Sequence, residues 1–133
     1  MLNPNVYTLC AKQLTAAVSA EAQSPIVNLD GMQAVTLEAR LIYGSGGTSV
    51  IARVQTSFDE GQTWRDVARF DFATTSLVKW ANISGLSPKG VSTLTALGAE
   101  GVTDGLLGDR LRVEVTSVGA YVDTVLSVKA AAR

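Results

Sequence analysis

The sequence has 133 residues, 47% of them hydrophobic, with a mean hydropathy of +0.22, which fits a single folded domain and excludes an intrinsically disordered chain. Eleven Lys and Arg residues stand against twelve Asp and Glu, a net charge of -1 with no basic stripe, so an electrostatic grip on nucleic acid or an anionic membrane is excluded. The absence of histidine and the single cysteine, Cys10, exclude Cys/His zinc sites, Ser-His-Asp and Cys-His catalysis and an intrachain disulfide.

A chain of this mass is expected to bury roughly two-thirds of its extended surface, enough for a core without a metal or disulfide staple. No apolar run reaches the roughly 18 to 20 residues of a membrane-spanning helix. Met1 to Gln13 contains Pro4 and Asn5 and lacks the basic start and apolar run of a secretion signal, so the chain is expected to be soluble and uncleaved. Residues 1–13 read as an extended N-terminal arm, and Cys10 is compatible with synthesis in a reducing cytoplasm.

In chain order, Val6 to Cys10, Leu14 to Ser19 and Pro25 to Leu29 are short strand candidates with weak alternation. Ala34 to Tyr43 is the clearest strand: Val35, Leu37, Ala39, Leu41 and Tyr43 fall on one side, Thr36, Glu38 and Arg40 on the other. Gly44-Ser45-Gly46-Gly47 reads as a flexible hairpin loop leading to a second strand, Thr48 to Thr56, expected to pair with the first. It precedes a strand and lacks the Gly-Lys-Ser/Thr ending of a phosphate-binding loop. Trp64 to Phe72 places Trp64, Ala68, Phe70 and Phe72 against Arg65, Val67, Arg69 and Asp71, completing an expected three-stranded meander. Leu77 to Ile83, Arg110 to Thr116 and Tyr121 to Ala130 supply the later strands. From Val91 to Asp109, glycines 98, 101, 105 and 108 interrupt the pattern, and a long Gly-rich loop is predicted. The reading is an all-β single domain over residues 1–133, an antiparallel β-sandwich or jelly-roll-like fold of about six to nine short strands.

The most specific local signal is Ser57-Phe58-Asp59-Glu60-Gly61-Gln62-Thr63-Trp64, which fits S-x-D-x-G-x-T-W at every fixed position. Asp59 is placed to accept turn N–H groups, Gly61 to take a positive φ, and Ser57 and Thr63 to bridge the turn, with Trp64 packing into the core. This pattern resembles the Asp-box hairpin of sialidases and other β proteins, a structural turn away from the catalytic centre, and the resemblance carries over no activity. Paired-carboxylate glycosidase chemistry needs two acids facing one sugar, and Asp59 with Glu60, or Asp104 with Asp109, read more simply as turn formers. The D-x-D-x-D-G spacing of a calcium loop is missing, so no metal or other cofactor is expected. Trp80, facing the same way as Val78, is a core or interface residue or else a carbohydrate-stacking platform. Arg53, Arg65, Arg69, Arg110 and Arg112 alternate with apolar residues and are candidate interface arginines on outward sheet faces.

VQTSFDEGQTWRDVARFDF from Val54 to Phe72, with GLLGDRLRVEVT from Gly105 to Thr116, resembles small β-rich virion structural proteins of tailed bacteriophages, over about a third of the chain. The resemblance implies assembly rather than catalysis: a capsid-associated decoration or cement protein, made in the host cytoplasm and located in the virion. Such a protein binds the shell as a homo-oligomer, with the major capsid protein or other virion proteins as partners. A neck, tail or fibre-base component is the alternative, and a carbohydrate-binding module, motivated by the Asp box, Trp80 and Tyr43, is the second.

Overall fold

Alternation in Ala34–Ile42 becomes a strand whose Val35, Leu37, Ala39 and Leu41 are buried and whose Thr36, Glu38 and Arg40 face solvent. The computed structural model describes residues 3–133, and among them the same logic yields eleven strands, all antiparallel, and no helix. In chain order these are β1 (Asn5–Leu14), β2 (Val18–Ala22), β3 (Ala34–Ile42), β4 (Ser45–Gly46), β5 (Ser49–Ser57), β6 (Arg65–Phe72), β7 (Leu77–Ser84), β8 (Gly101–Val102), β9 (Arg110–Val118), β10 (Tyr121–Val122) and β11 (Thr124–Ala132). They form a four-stranded sheet, β1-β11-β3-β7, a five-stranded sheet, β2-β9-β5-β6-β8, and a small β10-β4 ribbon. The result is a sandwich-like all-β domain.

One continuous core lies between the sheets. The four-stranded sheet supplies Leu37, Ala39, Leu41, Leu126, Val128 and Ala130, and the five-stranded sheet supplies Val50, Val54, Phe70, Phe72, Val113 and Val115. Each fully buried Leu or Val contributes roughly 1.5–3 kcal/mol of transfer free energy, so this cluster carries the fold without a staple.

Several sequence expectations are corrected. β3 and β5 do not pair: β3 lies between β11 and β7, whereas β5 lies between β6 and β9, so no three-stranded meander forms. Alternation specifies which face of a strand is apolar but not which neighbour completes its ladder. The Gly44–Gly47 connection crosses between sheets, and instead of a free loop its Ser45 and Gly46 pair with Val122 and Tyr121. The N-terminal segment is extended but is no free arm, because from Asn5 onward it is paired with β11; Met1 and Leu2 lie outside the described residues. Its register shifts between Thr8 and Cys10, so adjacent Leu9 and Cys10 are both buried, which explains the weak alternation there. Pro25 to Leu29 contributes an isolated bridge, Ile26 to Leu111, rather than a strand. The Tyr121 to Ala130 run is split at Asp123, whose φ is 51°. Within the long loop, Gly101–Val102 adds β8 beside β6.

Candidate functional site

The hairpin between β5 and β6 is built by its own side chains. Asp59 accepts from the Thr63 N–H at 2.8 Å and the Thr63 hydroxyl at 2.6 Å, and the Ser57 hydroxyl donates to it at 2.9 Å. Ser57 Oγ in turn accepts the Gly61 N–H at 2.8 Å. Hydrogen bonds from the Thr63 hydroxyl and N–H, with the Ser57 hydroxyl adding to them, outweigh desolvation and hold the Asp59 carboxyl down at about 2. Gly61 has a φ of 87°, and Glu60 before it also lies in the left-handed region, at 61°. The carboxylate is thus fully used in holding a turn.

Trp64 departs from the expected core anchor. It is half-buried, donates from Nε1 to the Gly61 carbonyl at 3.0 Å, and carries the Arg112 guanidinium 4.4 Å above its ring. Trp64 therefore clips the hairpin to β9 from the outer side. The two stretches that carry the virion resemblance meet here, because β5 pairs with both β6 and β9, Ser57 opposite Arg110. Gly108, ahead of that strand, donates its N–H to Thr56 Oγ1 at 2.8 Å. A Cβ on Gly108 would stand 2.1 Å from the Ser57 carbonyl oxygen, so the Gly-Asp-Arg strand start is required by close backbone approach.

The outer face of the five-stranded sheet holds a polar network that ties down the long loop. Arg53 contacts Asp66 at 2.8 Å, and Gln55 donates to the same carboxylate at 2.9 Å. Asp66 accepts the Leu97 N–H at 2.9 Å, while the Leu97 carbonyl accepts from Arg53 at 2.7 Å and Arg69 at 3.0 Å. Arg69 pairs with Asp71 at 2.8 Å, and Arg112 donates to Gln55 at 2.8 Å. Further along, Glu100 accepts the Asp71 N–H at 2.7 Å and pairs with Lys79 of β7 at 2.5 Å. Residues 88–96 form a strap whose C-terminal end is clamped at Leu97.

Of the candidate interface arginines, Arg53, Arg69 and Arg112 are thus engaged within the subunit, and Arg65 is exposed. Arg110 places its Nε 3.8 Å from Asp109, beyond hydrogen-bond reach. Sequence reasoning missed Asp66, Gln55 and Leu97. A β-bulge is the reason: the register shifts between Val54 and Gln55, Val67 turns inward with Ala68, and Asp66 is carried to the outer face beside Gln55. Asp66 stands between exposed Arg65 and buried Val67, and no period in the sequence marks it.

Trp80 lies on β7, at the edge of the four-stranded sheet, opposite Glu38 of β3, and is 70% exposed. The same outer face carries exposed Val78, Ile42, Val125 and Val6 between charged Glu38, Arg40 and Lys129. Asp104 holds a loop: it accepts the Ser84 N–H at 2.8 Å, and that bond, against desolvation, lowers its carboxyl, whereas Asp109 acts through its main-chain carbonyl, which accepts the Leu29 N–H at 2.8 Å. Among the described residues no three His, Cys, Asp or Glu side chains converge as a metal site would require. Compared with known proteins, the chain matches no protein-family model, no curated protein and no solved structure.

Proposed function

We propose that this protein is a non-enzymatic structural component of a tailed-bacteriophage virion, a capsid-associated decoration or cement protein that binds the shell as a homo-oligomer. The observation that carries this reading is the distribution of its exposed chemistry. Asp59 in the Asp box and Arg53, Asp66, Arg69, Asp71 and Arg112 on the outer face of the five-stranded sheet are engaged in holding the hairpin and the strap. The four-stranded sheet offers solvent Ile42, Val78, Trp80 and Val125 instead, the kind of apolar surface by which a protein binds others. The resemblance of Val54 to Phe72 and Gly105 to Thr116 to virion proteins gives the direction, and the adjacency of these stretches in one sheet is consistent with a shared structural unit. The test is reconstitution: shells stripped of the protein, mixed with the purified chain and imaged, are expected to show occupancy at symmetry-related sites. Empty shells would overturn head attachment, and density at the neck, tail or fibre base would transfer the protein there.

One observation favours a second reading. The exposed Trp80 indole is available for stacking on a sugar, as in a carbohydrate-binding module. Glycan-array binding that Trp80→Ala abolishes would establish it, and uniform silence would retire it.

A further inference from the structure

The strap has the composition of a β-strand and no strand partner. From Gly90 to Gly98 it reads Gly-Val-Ser-Thr-Leu-Thr-Ala-Leu-Gly, without charge or proline and with β-branched residues at 91, 93 and 95. Among the described residues, the main chain of 88–96 makes no hydrogen bond, and every residue from Val91 to Ala96 is exposed. Local propensity and local structure disagree here, and a conflict of that kind marks a functional segment.

β7 has the complementary deficiency. Among the described residues its only ladder partner is β3; on the other edge Asp104 takes the Ser84 N–H and Gly101–Val102 lies nearby, but Leu77 to Ile83 has no ladder partner there. Natural edge strands are guarded by proline, bulges, short length or charge. β7 has no proline, its register with β3 has no shift, and its single charge, Lys79, is spent on Glu100 at 2.5 Å and the Asp71 carbonyl at 2.6 Å. Val78 and Trp80 stand exposed beside the open ladder, at 59% and 70%.

We propose that Val91–Ala96 of one subunit adds as a strand to the bare β7 edge of a second copy of this chain. A donor segment and an acceptor edge are both present on the same chain; the sheet's other edge, β1, is broken by the register shift between Thr8 and Cys10, and the one charge on β7, Lys79, is already paired with Glu100. Within one subunit they are kept apart: the clamp at Leu97 holds the strap on the outer face of the five-stranded sheet, whereas β7 edges the other sheet. Main-chain pairing supplies the contact, and the docked segment covers the apolar side chains that flank the edge. Donor and acceptor are different surfaces, so the contact is head-to-tail and closes into a ring when the rotation allows. This deepens the self-assembly part of the proposed function and is independent of shell attachment.

The test is molar mass by light scattering over a concentration series. The native chain is expected to give a multiple of 13.9 kDa. Thr95→Pro removes an N–H that the subunit does not use, so its melting temperature should stay unchanged while its mass falls to one chain. Trp80→Lys, which charges the acceptor edge, should do the same. An equal mixture of the two variants retains one intact strap and one intact edge and should form a two-chain species. A single-chain native protein at every concentration would overturn the exchange, and shell occupancy by that single chain would leave the proposed function standing. Assembly of Thr95→Pro like the native protein would also overturn it, and with loss confined to Trp80→Lys would indicate β7 self-pairing. Should Thr95→Pro misfold, Trp80→Cys mixed under oxidation with Thr93→Cys, Leu94→Cys and Thr95→Cys in turn decides: one covalent two-chain product supports the exchange, none overturns it. The native Cys10 is buried and does not compete.

Discussion

Asp59 illustrates how a single residue can carry chemistry without performing any. Its carboxyl lies below its ordinary value of 3.8, at about 2, because the charged form accepts from Thr63 and Ser57. A depressed folded-state pKa means that its contribution is present in full above the ordinary carboxylate range and is lost as pH falls through 2. Asp59→Asn should therefore lower the melting temperature at neutral pH, and the gap to the native protein should close between about pH 4 and pH 2, as thermal melts in acid will show. Gly108 is the other decisive residue, since a methyl group there meets the Ser57 carbonyl oxygen at 2.1 Å, a backbone atom with no side-chain freedom to retreat. Gly108→Ala should cost about 1–3 kcal/mol by overpacking, read from urea denaturation midpoints.

At the scale of elements, the clamp explains why a long irregular loop has a defined place. Asp66 is 4% exposed at its side chain and joins Arg53, Gln55 and the Leu97 N–H. Asp66→Ala leaves Arg53 only the Leu97 carbonyl, and with Arg53 22% exposed the cost should fall below the roughly 3–5 kcal/mol of a fully buried broken pair, at about 2–3 kcal/mol. The same variant should raise proteolysis across residues 91–100 and hydrogen exchange at the Leu97 N–H well before the core strands respond. Equal protection of the loop in both proteins would show that Leu97 is held by something else.

Across the whole molecule, the N-terminal strand is the most informative element. A free arm could be removed without harm, but β1 runs along β11 and buries Leu9, Cys10 and Leu14. Deleting residues 3–13 removes two of these side chains and leaves the β11 edge open. At about 2–5 kcal/mol for each large buried side chain, the loss approaches the whole net stability of a small domain. The truncated chain should lack a cooperative thermal transition by calorimetry, and a normal transition would restore the arm reading. Burial also pushes the Cys10 thiol up to about 11, consistent with a strand packed into the core.

Much of this is legible in the sequence itself. Alternation in Ala34 to Tyr43, Thr48 to Thr56 and Arg110 to Thr116 encodes half-buried strands, because a strand's side chains point to opposite faces and only one face meets the core. The spacing of Ser57, Asp59, Gly61 and Thr63 encodes a turn, because those hydrogen bonds close within seven residues. Ladder partners are non-local, so β3 beside β11 and β5 beside β9 came only from the assembled sheets. Bulges shift the side-chain parity by one residue, and so the inward turn of Val67, the outward turn of Asp66 and the true length of β1 were hidden from a period of two. The clamp joins residues more than forty positions apart in Arg53 and Leu97, and only tertiary packing could bring them together.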